Sequence, residues 1–140
     1  MLSAPAGALA VDGRDRVGVV VPQKPQNPIA HLANWKLGAV SVPLTVLFGT
    51  DALQYRLDDA DTNVAIIDPA VRDDIDAVRD ACPALEHVVE IETDAPAGDV
   101  HAFEDVLAAP ENTDIEPYES TPDTDTAILY TSGSTGPPKG

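Results

Sequence analysis

Three short runs constrain this chain most: "RVGVVV" at 16–21, "NVAIID" at 63–68 and "HVVEI" at 87–91. Each is rich in β-branched residues and shows little polar alternation. A strand with one wet face alternates apolar with polar residues, whereas a strand covered on both faces is almost continuously apolar. These runs therefore call for a sheet buried on both sides. Two further runs, "AVSVP" at 39–43 and "TAILY" at 126–130, extend it.

The intervening segments carry helical signals. Asn27 is placed to cap a helix whose first position is Pro28, which continues through "IAHLANWKLG" and stops at Gly38. Thr50 is placed to cap "DALQYRLDDA", where Leu53 and Leu57 stand one turn apart on a single face. Pro69 marks the next start, and Val71, Ile75 and Val78 form a stripe along 71–81 with acids opposite. A short helix is expected over 102–109. Strands alternating with helices at this pace imply right-handed crossovers. The expected fold class is α/β, a mostly parallel sheet with flanking helices. "TDAPAGDV" at 93–100 reads as a surface loop, and the proline- and acid-rich stretch 109–125 as an extended, solvated connection.

Charge narrows the function classes. The 140 residues carry 24 acids against 8 bases, a net charge of −16. Such a surface repels the phosphates of nucleic acids and of anionic membranes, so neither is expected as a partner. Aspartate far outnumbers glutamate, and the lysines are only Lys24, Lys36 and Lys139. That balance is similar to proteins adapted to high cytoplasmic salt, where screening removes self-repulsion. Disorder is the competing explanation, and the 44% hydrophobic content speaks against it. Cys82 stands alone, so neither a disulfide framework nor a paired-cysteine metal site is expected. No apolar run reaches membrane-spanning length and "MLSAPAGALAVDG" lacks the basic start of a signal peptide, so a soluble, cytoplasmic protein is expected.

The chemistry concentrates in "LYTSGSTGPPKG" at 129–140. Glycines after a strand allow positive φ and close backbone approach, both of which a phosphate cradle needs. Thr131, Ser132, Ser134 and Thr135 add hydroxyls, Lys139 adds a positive charge, and no acid occurs from Thr126 onward. A flexible Gly/Ser turn is the plain alternative for "SGSTG" alone. The loop is not a Walker A motif, because Pro138 and Gly140 flank the lysine, and no dinucleotide fingerprint G-x-G-x-x-G is present.

"YTSGSTGPPKG" resembles, position for position, the phosphate-binding signature of the adenylate-forming (AMP-binding) superfamily: acyl-CoA synthetases, phenylpropanoid CoA ligases, luciferases and nonribosomal adenylation domains. A second resemblance runs from "DRVGVVVPQKPQNP" through "LGAVSVPL" to "LFGTDALQYRLDDA", with wording nearest to acetyl- and medium-chain acyl-CoA synthetases. It is loosest between Val71 and Thr121. The resemblance implies an N-terminal α/β domain and an ATP-dependent acid–thiol ligase. Such an enzyme turns a carboxylate and ATP into acyl-AMP and pyrophosphate, then passes the acyl group to coenzyme A. It also implies ATP, Mg2+ and coenzyme A as cofactors and a small-molecule carboxylic acid as substrate. Thr131, Ser132, Gly133, Ser134, Thr135, Gly136 and Lys139 are implied as binders of the ATP phosphates. No catalytic residue or metal ligand is implied within these residues. The family's later motifs and small mobile domain lie beyond Gly140, so 1–140 is expected to be an incomplete N-terminal AMP-binding domain without its C-terminal domain. Alone it is expected to be inactive. An amino-acid adenylation domain of the same superfamily, or a non-catalytic stand-alone nucleotide-binding module, are the alternatives. His31, Trp35, Lys36 and the acids of 71–81 read as structural.

Overall fold

A computed structural model describes residues 9–94, 96–110, 115–132 and 136–140. Five strands form one sheet: β1 (Arg16–Val20), β2 (Val40–Pro43), β3 (Val64–Ile67), β4 (His87–Glu90) and β5 (Val100–Ala102). Their spatial order is β2-β1-β3-β4-β5, and every pairing is parallel. The helices are α1 (Gln26–Leu37), α2 (Thr50–Asp59), α3 (Arg72–Val78) and α4 (Phe103–Ala108). The expected fold class is the observed one.

The apolar runs behave as double-sided strands should. Val20, Val42, Ala65, Ile67 and Val88 are buried on one face with Leu53 and Leu57 of α2 and Ile75 and Val78 of α3. Val17, Val19, Val64, Ile66 and Val89 are buried on the other with Ala30 of α1 and Phe103 and Val106 of α4. Right-handed crossovers explain the layering. The chain leaves β1 for β2 in one direction and β2 for β3 in the other, so α1 and α2 must lie on opposite faces.

Several local expectations are corrected. α1 begins at Gln26 with Pro25 at its N-cap position; Asn27 sits inside the helix, and its side-chain amide donates to the Val21 carbonyl at 2.7 Å. Tying the helix back to the end of β1 displaces capping as the role of that amide. Gly49, not Thr50, precedes α2, and the Thr50 hydroxyl donates to Asp74 Oδ1 at 2.6 Å, joining α2 to α3. The stripe over 71–81 forms α3 flanked by two 3₁₀ turns, Pro69–Val71 and Arg79–Ala81. Asp68 caps the first of these by accepting from the Ala70 amide at 2.9 Å. β5, read from sequence as part of a loop and a helix start, is only three residues long. That is too short to show a period. The 126–130 run meets the sheet more briefly than expected, bridging β2 where Ser41 N–H donates to the Thr126 carbonyl at 3.0 Å and Ile128 N–H to the Ser41 carbonyl at 2.9 Å. Among the described residues no helix is long and apolar enough to cross a membrane.

Candidate functional site: the loop closed by Thr131 and Lys139

Beyond that bridge the chain turns back on itself. Thr131 N–H donates to the Lys139 carbonyl at 3.0 Å and Lys139 N–H returns the bond to Thr131 at 3.2 Å, an antiparallel pair that closes the loop. Thr131, Ser132, Gly136 and Lys139 are all exposed at this stem and its turn. Gly136 has φ +119°, a conformation L side chains rarely adopt, which is why the signature needs glycine there. Gly140 is demanded by contact instead. A Cβ on it would fall 2.7 Å from Ile128 Cγ2 and 2.8 Å from Tyr130 Cζ, so the backbone must lie directly on that ring. Gly133, Ser134 and Thr135, the remaining expected phosphate binders, lie outside the described residues.

Helix α2 forms the wall behind the stem. Tyr130 donates its phenol to Asp59 Oδ2 at 2.6 Å, and Tyr55 donates its own to the Pro138 carbonyl at 3.0 Å. The two phenol rings meet edge to face, centroids 6.5 Å apart. The buried Arg56 guanidinium lies 4.1 Å from the centre of the Phe48 ring and 5.7 Å from that of Tyr130, with Nη1 donating to the Ala52 carbonyl at 2.8 Å. Burial, then the bond to Asp59, pushes the Tyr130 phenol well above its usual range, so it stays a donor. The sequence reading missed Tyr55, Asp59 and Tyr130 as parts of this assembly. The available signal was the 3.6-residue period, which puts Tyr55 and Asp59 one turn apart and off the Leu53/Leu57 stripe.

Two other polar places compete for the role of site. In open parallel sheets ligands gather at the carboxyl ends of strands where the strand order reverses, here between β1 and β3. That point carries paired charges of its own: Lys24 Nζ, just after β1, lies 2.7 Å from Oδ2 of Asp68, just after β3, and 2.8 Å from Glu92 Oε2, and one strand further along Arg72 reaches Glu90 of β4 at 3.2 Å. Burial disfavours ionised Asp68, but the Lys24 and Ala70 bonds outweigh it and hold the carboxyl below its ordinary value. A cleft of about 440 Å³ at the amino ends of β1 and β2 sets Arg14 and Arg16 against Asp123 and Asp125, so its charge is balanced too. Lys139, by contrast, makes no ion pair among the described residues.

Exposed hydroxyls, an exposed ammonium with no ion pair among the described residues and an acid-free segment fit the anionic oxygens of a nucleotide's phosphates. No group of three or more His, Cys, Asp or Glu that could hold a metal occurs among the described residues, so no residue here is assigned to Mg2+.

The model of a family described as "AMP-binding enzyme" matches residues 6–140. The acetyl-coenzyme A synthetase of Pyrobaculum arsenaticum is 30% identical over 142 residues, covering 90% of this chain and 21% of that protein. That of Bacillus subtilis is 33% identical over 131 residues, covering 93% and 22%. Among solved structures, an anthranilate CoA ligase in complex with anthranoyl-AMP superposes with a TM-score of 0.89 at 26% identity, covering 98% of this chain and 26% of that one. Acetoacetyl-CoA synthetase from Streptomyces lividans gives 0.81 at 30% identity, covering 98% and 23%. The chain therefore spans little more than a fifth of the length of the curated relatives it matches.

Proposed function

The chain belongs to the AMP-binding enzyme family, and from that premise we propose that it is part of the large N-terminal domain of an AMP-forming acyl-CoA synthetase. The proposed reaction joins a small carboxylic acid to ATP, forming acyl-AMP and pyrophosphate, and then transfers the acyl group to coenzyme A. ATP, Mg2+ and coenzyme A are the cofactors this reading requires, and the cytoplasm is its proposed location. The observation that carries it is the stem closed by Thr131 and Lys139, which displays hydroxyls and an ammonium without an ion pair among the described residues, just beyond the bridge to β2. Thr131, Ser132, Gly133, Ser134, Thr135, Gly136 and Lys139 are proposed to hold the β- and γ-phosphates. Donors set in advance around departing pyrophosphate favour the transition state over the ground state, because negative charge grows there as the bond breaks.

Carboxylate-dependent ATP–pyrophosphate exchange, measured on the protein that carries this segment, tests the reading. Acetate or another short acid should stimulate exchange. Stimulation by amino acids alone would assign the chain to an amino-acid adenylation domain, and none by any acid would leave a non-catalytic nucleotide-binding module.

We further propose that the protein works in high salt. At −16 on 140 residues, self-repulsion opposes the compact state until counterions screen it. Melting followed by circular dichroism should rise by at least about 5 °C between low and molar KCl. A melting temperature independent of salt would remove this proposal.

A further inference from the structure

The contacts between α2 and the loop stem have a functional reading of their own, one that rests on the ligase proposal above. Both limbs of the stem are tied to the same helix. Tyr130, immediately before Thr131, is bound through its phenol to Asp59 at 2.6 Å. Pro138, immediately before Lys139, is bound through its carbonyl to the Tyr55 phenol at 3.0 Å. Tyr55 and Asp59 are one helical turn apart, so a single face of α2 sets the position of both residues that close the loop. The helix is in turn fixed to the sheet by Leu53 and Leu57, both fully buried. Core packing is thus transmitted to the loop through two phenol hydrogen bonds.

We infer that Tyr55 and Asp59 are positioning residues of this enzyme. Their assigned role is to hold the backbone from which Thr131 and Lys139 engage the phosphates. A purely structural role would show in global stability. A positioning role shows in the rate of adenylation, because a donor displaced by even a fraction of an ångström loses its preference for the transition state.

The test uses Tyr55→Phe, Asp59→Ala and Asp59→Asn in the protein that carries this segment. Tyr55→Phe keeps the ring and deletes only the hydroxyl. Asp59→Asn keeps an oxygen that accepts from Tyr130. Expected for Tyr55→Phe and Asp59→Ala is a fall in kcat of pyrophosphate exchange of about threefold to tenfold, with KM for the acid and the melting temperature little changed. Asp59→Asn should recover most of that loss. Amide hydrogen exchange supplies a readout independent of turnover: the Thr131 and Lys139 amides should exchange faster in Tyr55→Phe while those of β1 and β3 do not. Unchanged kcat in both Tyr55→Phe and Asp59→Ala overturns the inference, as does amide exchange that quickens uniformly across the sheet. A wild-type protein without exchange activity, whose Thr131 and Lys139 amides still loosen selectively in Tyr55→Phe, overturns the ligase reading and supports the pinning of the stem.

Discussion

Lys139→Ala is expected to slow ATP–pyrophosphate exchange by about 10²-fold to 10³-fold while leaving affinity for the carboxylate within about twofold. The expectation follows from where the ammonium stands. It is exposed, makes no ion pair among the described residues, and follows the residue whose carbonyl Tyr55 holds. Among the described residues no carboxylate has to release it before it meets phosphate. Its charge acts most strongly on pyrophosphate as negative charge accumulates there, so kcat carries the loss. Lys139→Arg should recover only part of the rate, since a planar guanidinium on a longer stem cannot place its charge at the same point. Exchange kinetics with saturating acid, compared with acid binding measured by calorimetry, separate the two effects. An exchange rate within twofold of wild type would remove Lys139 from the mechanism.

What could be read from the sequence divides along a physical line. The strand runs at 16–21, 39–43, 63–68 and 87–91 were legible because burial on both faces requires continuous apolar residues, and that requirement is local. β5 was not, since Val100, His101 and Ala102 owe their pairing to β4 beside them and carry no period of their own. The two misplaced caps have a similar origin. Asn27 and Thr50 are good capping residues, but each bonds elsewhere, Asn27 back across the turn to the Val21 carbonyl and Thr50 to Asp74 on the next helix, and a capping preference alone encodes neither partner. At the site, the loop signature was legible residue by residue, and Gly136 and Gly140 now have separate reasons, a backbone angle and a ring contact. Its support was not legible. Tyr55 lies 83 residues before the carbonyl it binds, and no periodicity connects them. Only the three-dimensional return of the 126–131 segment along β2 brings the stem against α2.

Leu57→Ala is expected to destabilise the chain by about 2–5 kcal/mol, and its effect should depend on what occupies position 18. Leu57 is fully buried on the inner face of α2. The strand beneath it carries Gly18, paired with Val42 on one side and Ala65 on the other. A Cβ at Gly18 would stand 3.2 Å from Leu57 Cδ2 and 3.3 Å from Thr62 Cγ2, so the leucine fills the space that a β1 side chain would otherwise take. A gap in the apolar "RVGVVV" run is thus the imprint of a helix packed closely on the sheet. Gly18→Ala alone should overpack this contact and cost about 1 kcal/mol. With Leu57 shortened, the same methyl enters the vacated volume and removes some strand flexibility, so it should stabilise the Leu57→Ala background. Urea unfolding of the wild type, both single variants and the double variant measures the coupling, expected at about 1–2 kcal/mol in the compensating direction. Effects that add to within about 0.5 kcal/mol would show that the strand and helix relax independently. In that case Leu57 could not be the rigid link through which the sheet sets the height of Tyr55 and Asp59 above it.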